Sequence, residues 1–213
     1  MIYAINGSPR KDWNTGQLLE RALVGARLAN RETRLINLYD LDFKGCISCF
    51  ACKRKGGKLG HCAMRDGLSP LLEDLRSASG LILGSPIYWW DITAGMRAFL
   101  ERFLFSNMLY NKGQRWVFPR KLPSALVLTF GVKLDFMQSK LDRFSELETN
   151  LSEMLGYPLE TFYSDDAWQF DDYSRYEADR LDAEAKKKRR QEVFPQDLRR
   201  AEELGNRIAE TGR

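Results

Sequence analysis

Apolar runs of strand length alternate with longer segments of helical periodicity along most of this 213-residue chain. The runs are continuous rather than polar at every second position, which is typical of strands buried on both faces of a parallel sheet. Five strands are predicted, at residues 1–6, 33–38, 80–84, 123–130 and 158–163. Helices are predicted between them, at residues 15–28, 68–78, 93–105 and 136–155. This alternation predicts an α/β protein with helices on both faces of one sheet.

Five strands favour the flavodoxin-like strand order 2-1-3-4-5, a three-layer sandwich, over a six-stranded Rossmann sheet. A charged helical region follows at residues 175–209, and Pro195 is expected to interrupt it because proline breaks the helical hydrogen-bond ladder. We therefore expect a single domain over residues 1–213, with a cysteine loop at 44–66 and a C-terminal helical extension at 172–213.

The loop after the first strand is a candidate phosphate-binding loop. In doubly wound sheets, ligands bind beyond the carboxyl ends of the strands, where the strand order reverses, and this loop lies there. Backbone amides at the start of the following helix favour an anion. Neutral and charged donors accompany them, namely Ser8, Asn14, Thr15 and Arg10. Neither the P-loop nor the dinucleotide fingerprint is present, and an ordinary strand-to-helix turn is the alternative.

A second candidate loop, residues 85–89, follows the third predicted strand and lies at the same sheet edge. A ligand with a planar ring requires an apolar, partly aromatic surface for the ring and backbone groups for its polar edge. The loop offers both, through Ser85, Pro86, Ile87, Tyr88 and Trp89. Gly131 ends the fourth predicted strand at this edge and adds a weaker candidate contact. Alternatively, the aromatic residues fill a core or a subunit interface.

All four cysteines lie within 17 residues of one another, in the pattern C-x2-C-x2-C-x9-C: Cys46, Cys49, Cys52 and Cys62. Clustering of this kind argues against a disulfide framework, which staples distant segments. Three cysteines at successive x2 intervals match the local pattern of a cuboidal [4Fe-4S] cluster. Zinc, which more often takes two separated cysteine pairs, and a loop without metal remain alternatives. Basic residues in the loop either offset thiolate charge or are solvated.

Composition and charge restrict the function classes. The net charge is +4, with 33 basic and 29 acidic residues. The basic run at 186–190 follows an acidic stretch and predicts a solvated helix rather than a nucleic-acid-binding surface. The longest apolar runs are too short to cross a bilayer, and the first residues lack the basic leader of a signal peptide. We expect a soluble, cytoplasmic protein that binds neither nucleic acid nor membrane.

Several motifs together resemble NAD(P)H-dependent FMN reductases and iron–sulfur flavoproteins. The first loop, with its Gly7-Ser8-Pro9-Arg10 start and Asn14-Thr15 end, resembles that family's phosphate loop. The sequence Gly84-Ser85-Pro86-Ile87-Tyr88-Trp89 resembles its flavin loop. The stretch from Gly45 to Cys62, followed by Asp66, resembles its cysteine segment, although the last gap is longer here. The region 184–205 resembles one branch of the family, so the likeness spans nearly the whole chain.

The resemblance implies an FMN-dependent oxidoreductase. Electrons would come from NADH, NADPH or a ferredoxin-type carrier and pass to an acceptor such as a quinone or free flavin. It implies FMN contacts at both loops, a [4Fe-4S] relay on the four cysteines, and a homodimer or homotetramer, with the aromatic stretch 103–110 as a candidate subunit surface. No side chain is assigned as a general acid or base. A non-enzymatic flavodoxin-like carrier and a zinc-stabilised scaffold are the alternatives; the sequence pI near 8.9 disfavours the carrier.

Overall fold

The computed structural model describes residues 1–212; Arg213, the last residue of the predicted extension 172–213, lies outside the described residues. Its strands are β1 (Ile2–Asn6), β2 (Thr33–Asn37), β3 (Gly80–Tyr88), β4 (Asp91–Ile92), β5 (Met108–Asn111), β6 (Gln114–Trp116), β7 (Ser124–Thr129) and β8 (Glu160–Ser164). Its α-helices are α1 (Asn14–Leu28), α2 (Ser69–Asp74), α3 (Ala94–Asn107), α4 (Leu134–Leu141), α5 (Ser145–Leu155), α6 (Ala183–Glu192) and α7 (Phe194–Thr211).

The main sheet has the order β2-β1-β3-β7-β8, and all these strands are parallel. This is the predicted 2-1-3-4-5 order when the five long strands are numbered alone, so the flavodoxin-like fold is confirmed. One short strand was not predicted: β4 turns back and pairs antiparallel with β3. The turn between them places Trp89 and Trp90 in left-handed backbone conformation, with φ of 52° and 69°. The hairpin therefore ends the third strand beside the carboxyl edge of the sheet.

A second hairpin, β5–β6, forms a separate two-stranded sheet. The sequence pattern did not predict it, because residues 108–116 are mostly polar or exposed. The hairpin divides the stretch 103–110 that was expected to form a subunit surface. Phe103 is buried in the core, whereas Tyr110 on β5 is 69% exposed. Helix α3 thus buries part of this stretch, and the subunit surface expected there stays a prediction.

The helices cover both faces of the sheet. On one face α1 and α7 pack together, and their backbones approach closely at two glycines. A Cβ on Gly205 would lie 1.7 Å from the carbonyl oxygen of Ala22, and one on Gly25 would lie 1.9 Å from that of Glu202. Helices α2 to α5 cover the other face. The second half of the expected extension is therefore a helix of the sandwich, packed on the sheet through Leu204 and its neighbours.

The helical predictions differ from the structure in two places. The helix predicted over 136–155 is divided into α4 and α5 by a 3₁₀ turn at 142–144. The charged region becomes α-helical only at Ala183, and the predicted break lies at Val193, with Pro195 in the first turn of α7. Proline fits there because the first turn needs no N–H donor. No helix within residues 1–212 is both long and apolar enough to span a membrane.

Candidate functional site

A cleft of about 230 Å³ opens at the carboxyl edge of the sheet. Four segments line it: the loop after β1, the end of β3, the end of β7 and the loop after β8. The lining residues are Ser8, Arg10, Trp13, Asn14, Thr15, Pro86, Ile87, Tyr88, Thr129, Phe130, Gly131, Ala167, Trp168 and Gln169. The structure therefore brings the two predicted loops and Gly131 together at one site.

The start of α1 forms the floor of the phosphate loop. Its N-cap residue, Trp13, contributes no side-chain cap among the described residues, and the first turn contains no acidic residue. A helix leaves its first N–H groups without intrahelical partners, and the positive end of its dipole favours an anion. Gly16 lets the loop fold back over this turn, because a Cβ there would lie 1.7 Å from the carbonyl oxygen of Lys11. The backbone is thus arranged to receive an anion.

The predicted polar side chains of this loop are buried and already hydrogen bonded. Asn14 Nδ2 donates to the carbonyl oxygen of Trp168 at 2.8 Å. The hydroxyls of Thr15 and Thr129 lie 2.8 Å apart, linking the loop to β7. Ser8 Oγ accepts from the backbone N–H of Arg10 at 3.1 Å. These side chains fix the shape of the loop, and the backbone amides of the first turn remain the principal donors toward a ligand.

Arg10 lies at the mouth of the cleft. Its guanidinium carbon is 3.7 Å from the centre of the Trp13 ring. Its Nη1 donates to the carbonyl oxygen of Gln169 at 2.5 Å. The side chain is exposed, so its charge faces both the cleft and solvent. Arg10 therefore joins the first loop to the loop after β8.

The flavin loop predicted from the sequence is only partly at the cleft. Pro86, Ile87 and Tyr88 line it. Ser85 lies beneath them, fully buried, and its Oγ accepts from the N–H of Thr93 at 3.0 Å. Trp89 is 94% exposed at the tip of the β3–β4 hairpin and does not line the cleft. Ser85 thus supports the loop, whereas Trp89 points away with the hairpin turn.

Tyr88 is the ionisable side chain of this loop. Burial raises the pKa of its phenol above the ordinary value, and the nearby Arg10 charge opposes part of that rise. The phenol is therefore protonated at neutral pH and is able to donate a hydrogen bond at the edge of the cleft.

The loop after β8 is the part of the cleft that the sequence analysis missed. Trp13 Nε1 donates to the carbonyl oxygen of Trp168 at 2.9 Å, so the same carbonyl holds both Trp13 and Asn14. The side chain of Gln169 lies over Gly131, where a Cβ would be 2.0 Å from Nε2. The sequence did contain a signal for this loop. It follows the fifth predicted parallel strand, so it must lie at the same edge of the sheet as the loops that follow the other strands.

The basic run 186–190 supports the cleft from behind, so its interpretation as a solvated helix was wrong. Lys186 is buried, and its Nζ lies 2.5 Å from the carbonyl oxygen of Gly131 and 2.5 Å from Asp166 Oδ1. Arg189 pairs with Asp165 at 3.0 Å and with Asp197 at 2.8 Å. Only Lys187 and Lys188 of the run are exposed. Helical periodicity directs the other three cations toward the loops after β7 and β8 and toward α1 and α7.

Arg190 completes this support. It donates to Asn14 Oδ1 at 2.9 Å and to Gln17 Oε1 at 2.7 Å. Burial lowers the pKa of its guanidinium, as does the neighbouring charge of Arg189, but an arginine remains charged at neutral pH. The contact orients the Asn14 amide so that its nitrogen faces the Trp168 carbonyl.

If the cleft binds the FMN that the sequence resemblance implies, replacing Arg190 with glutamine is expected to weaken that binding about 10-fold, because one lost charge-assisted contact is worth roughly 1.5 kcal/mol. The dissociation constant measured by quenching of flavin fluorescence tests this. Lys187→Gln removes a charge from the exposed face of the same helix and serves as the control. Equal affinity in the two variants would show that the Arg190 contact does not act on the cleft.

The four cysteines share a second, smaller site. Cys46, Cys49, Cys52 and Cys62 line one cavity of about 20 Å³, and all four thiols are free. Within residues 1–212, no three His, Cys, Asp or Glu side chains are placed to hold a metal ion. A tetrahedral zinc ion with Zn–S distances of about 2.3 Å would need its sulfurs to meet around one point. The four cysteines line one cavity but are not brought together around such a point.

The cysteine loop is fastened to α3 and to the 3₁₀ turn that follows α2. Glu101 accepts a hydrogen bond from the backbone N–H of Cys46 at 3.2 Å. Lys53 Nζ donates to the carbonyl oxygen of Met108 at 2.5 Å and to that of Ser106 at 3.3 Å, at the end of the helix. Arg76 donates to the carbonyl oxygen of Gly60 at 2.8 Å. These anchors bring Cys62 back to the cavity despite the nine-residue gap.

Burial affects the pKa of one thiol in the cysteine loop. Burial raises the pKa of the Cys52 thiol, and the charge of the adjacent Lys53 offsets part of this rise. His61 does not line the cavity; its Nδ1 lies 2.8 Å from Glu73 Oε1. Of the basic residues between Cys52 and His61, Lys53 is half-buried, whereas Arg54, Lys55 and Lys58 are exposed.

The buried cation at the cysteine cavity is Arg102 on α3, which the sequence analysis missed. Its side chain is 1% exposed, and Nη1 donates to Asp66 Oδ2 at 2.5 Å and to the carbonyl oxygen of Lys44 at 3.2 Å. Burial raises the pKa of Asp66, but the hydrogen bond and charge of Arg102 outweigh it, so the pKa lies below its ordinary value. The sequence did contain a signal for Arg102, because it is a cationic residue on the apolar face of a helix that was predicted to be buried.

Comparison with known proteins places the chain in a family. The family model described as NADPH-dependent FMN reductase matches residues 1–117, more than half of the chain. The chain belongs to this family. The match contains the phosphate loop, residues 85–89 and all four cysteines. Gly131, Trp168 and helix α6 lie beyond it.

Curated relatives of this FMN reductase-family chain are iron–sulfur flavoproteins. One from Methanocaldococcus jannaschii is 34% identical over 101 residues, 47% of this chain and 50% of that protein. One from Methanosarcina thermophila is 29% identical over 101 residues, 47% of this chain and 51% of that protein. The chain thus spans about half the length of the curated relatives it matches.

Solved structures extend the likeness in fold to nearly the whole chain. NAD(P)H:quinone oxidoreductase from Methanothermobacter marburgensis has a TM-score of 0.67 at 14% identity, covering 97% of this chain and 96% of that one. An FMN-dependent NADH-azoreductase from Bacillus anthracis str. Ames Ancestor, in complex with FMN, has a TM-score of 0.67 at 18% identity, covering 98% and 99%. At these identities the likeness concerns the fold alone.

Proposed function

We propose that this protein is an FMN-dependent oxidoreductase that takes electrons from NADH or NADPH and passes them to an acceptor such as a quinone or free flavin. One observation carries the proposal: the uncapped start of α1 and the Pro86–Tyr88 segment converge on one cleft at the carboxyl edge of the sheet. Family membership supports it, since the family is described as NADPH-dependent FMN reductase.

The chemistry of the cleft fits FMN. The first turn of α1 offers backbone N–H groups to the phosphate, and Arg10 adds a charge-assisted contact at the mouth. Ser8, Asn14 and Thr15 hold that turn in shape. The cavity, about 230 Å³, is smaller than the roughly 300–1,000 Å³ typical of sites that enclose a ligand, so FMN is only partly enclosed. An accessible flavin suits exchange of electrons with external partners.

The chain's own residues position the cofactor and do not perform acid–base chemistry. Bound FMN supplies the exchange of one or two electrons and the acceptance of hydride. Pro86 and Ile87 offer an apolar wall, and the protonated Tyr88 phenol offers a hydrogen bond at the edge of the cleft. Gly131, whose carbonyl oxygen accepts a hydrogen bond from Lys186, has no side chain to project into the cleft just after β7.

We further propose that Cys46, Cys49, Cys52 and Cys62 hold a [4Fe-4S] cluster that relays single electrons. Three observations support this: the four cysteines line a shared cavity, Arg102 beside them has two buried nitrogens without a partner among residues 1–212, and Ser48 and Phe50 have φ of 53° and 55°. Left-handed residues within a loop can direct backbone N–H groups toward an anionic cluster. The 20 Å³ cavity is about the size of one water site, so cluster binding requires outward movement of the loop.

Replacing Cys49 with alanine is expected to remove most of the iron and the broad visible absorbance of a cluster, because each corner of the cube needs a thiolate. FMN content should stay unchanged, since the cysteine does not line the cleft. Iron and acid-labile sulfide per chain, together with the flavin spectrum, provide the measurement. Leu59→Ala, at an exposed position of the same loop that does not line the cavity, is the control. Full iron content in Cys49→Ala would contradict the ligand assignment.

The decisive experiment is an anaerobic visible spectrum with metal analysis, followed by steady-state oxidation of NADH and NADPH. Bound FMN and turnover with a quinone or free flavin would support the oxidoreductase. Bound FMN without turnover with either nucleotide would instead indicate a flavodoxin-like carrier, and a colourless protein with bound zinc would indicate a scaffold. A ferredoxin-type donor is tested by repeating the assay with reduced ferredoxin.

Assembly and location are part of the proposal. The family resemblance predicts a homodimer or homotetramer, and the composition of the chain predicts a cytoplasmic protein. Light scattering of the flavin-loaded protein measures the first, and fractionation of cells measures the second.

A further inference from the structure

Arg102 has more hydrogen-bonding capacity than its protein partners use. Nη1 is occupied by Asp66 and by the carbonyl oxygen of Lys44. Within the described part of the chain, Nε and Nη2 are buried and have no hydrogen-bond partner. Leaving a buried donor unpaired costs about 1–3 kcal/mol, and more when the donor is charged. Two such donors on one side chain therefore indicate a ligand that accepts from them.

The surroundings of Arg102 identify the chemical class of that ligand. The side chain lines the same cavity as all four cysteines, together with the apolar Phe105 and Met64. Asp66 is the carboxylate that pairs with it, and Asp66 does not line the cavity. An iron–sulfur group held by four thiolates is anionic, and its sulfurs accept hydrogen bonds. A buried guanidinium fork is suited to meet such a group with two donors at once.

We propose that Arg102 is the cationic residue of the four-cysteine site, donating hydrogen bonds from Nε and Nη2 to the sulfurs of the bound iron–sulfur group while Nη1 remains on Asp66. This inference rests on the proposed [4Fe-4S] site. It makes Arg102 a positioning residue that stabilises the negative charge of the site. The exposed lysines of the loop are too solvated to do this.

The two functions of the side chain are separable. Asp66→Asn weakens the ion pair and leaves Nε and Nη2 in place. Arg102→Lys keeps a positive charge near Asp66 but removes the two additional donors. Arg102→Gln removes the charge as well. If the inference holds, Arg102→Lys loses iron from the holoprotein about 10- to 100-fold faster to an added chelator, as is typical when a supporting contact to a metal site is removed.

The reduction potential of the site provides a second measurement. Reduction adds negative charge beside Arg102, so Arg102→Gln should shift the potential to more negative values, measured by anaerobic redox titration with electron paramagnetic resonance. Arg97→Gln is the matched control, because Arg97 lies on the same helix and pairs with Asp91 at an exposed position. It should retain the wild-type potential and iron retention, and the folded Asp66→Asn protein should retain its iron.

Three outcomes would overturn the inference. In the first, the folded Arg102→Lys and Arg102→Gln proteins keep the iron content and reduction potential of the wild type. In the second, Asp66→Asn loses iron as fast as Arg102→Lys, which would assign Arg102 a structural role. In the third, the wild-type protein takes up no iron and sulfide under anaerobic reconstitution, so the [4Fe-4S] proposal fails and the inference fails with it. FMN content, measured in each sample, separates these results from a failure of the flavin proposal.

Discussion

Replacing Gly16 with alanine is expected to weaken FMN binding about 100-fold. A Cβ at this position would lie 1.7 Å from the carbonyl oxygen of Lys11, which is backbone and cannot swing aside. The phosphate loop must therefore move away from the first turn of α1. Overpacking of this kind costs roughly 1–3 kcal/mol, and about 2.7 kcal/mol corresponds to the 100-fold change in dissociation constant.

The Gly16→Ala substitution should weaken FMN binding without weakening helix α1. Alanine is favoured over glycine inside a helix by about 1 kcal/mol, so α1 itself should not be weakened. Fluorescence titration with FMN gives the affinity, and circular dichroism gives the thermal midpoint of the flavin-free protein. Glu20→Ala, on the exposed side of the same helix, is the control. An unchanged affinity in Gly16→Ala would mean that FMN does not use the loop in this conformation.

Replacing Gly205 with alanine is expected to lower the free energy of unfolding by about 3 kcal/mol. The new Cβ would lie 1.7 Å from the carbonyl oxygen of Ala22, so α7 and α1 must separate. For a chain of this size, that loss corresponds to a fall in the thermal midpoint of about 6–12 °C. Urea or thermal unfolding measures it, with Glu203→Ala on the exposed face of α7 as the control.

A stability close to that of the wild-type protein would show that the two helices tolerate a wider separation. The expected loss instead makes α7 a structural part of the sandwich. The same helix carries Asp197, which binds Arg189, so displacement of α7 should also loosen α6 behind the cleft.

The sequence predicted the sheet well because burial on both faces leaves a strong local signal. The runs at Ile2–Asn6 and Ser124–Thr129 contain only buried residues, and their boundaries were predicted to within two residues. Strand order followed from the number of strands and the rules of doubly wound sheets. The hairpins β3–β4 and β5–β6 carry no such signal, because they are short and largely exposed.

The sequence predicted those parts of the cleft whose lining residues lie close together in one short segment of the chain. The loop 8–15 and the segment 86–88 are of this kind, and both line it. Trp168 and Gln169 were missed because they reach the cleft only when the chain folds and brings the loop after β8 beside the loop after β1. The group that binds Trp13 and Asn14 is the backbone carbonyl of Trp168, which any residue type would provide. Ser85 and Trp89 were assigned because they are neighbours of Tyr88 in the sequence, but Ser85 is buried beneath the loop and Trp89 lies in the turn that leaves the sheet.

Charged residues were the hardest to interpret. A run such as 186–190 has the composition of a solvated helix, yet helical geometry directs Lys186, Arg189 and Arg190 inward. Arg102 was overlooked within an apolar helix for the opposite reason. In both cases the partners are distant in sequence, so only the folded chain shows which cation is neutralised and which retains free donors.

The contact between α6 and the carboxyl-edge loops also has a consequence for biosynthesis. The ribosome makes the phosphate loop first and residues 183–192 some 170 residues later. Until α6 has emerged, Gly131 lacks Lys186 and Asn14 lacks Arg190. A nascent chain can therefore pair its first strands well before the cleft has its full support. If the cleft binds FMN as proposed, a chain stopped before α6 should bind it more weakly than a chain that contains α6.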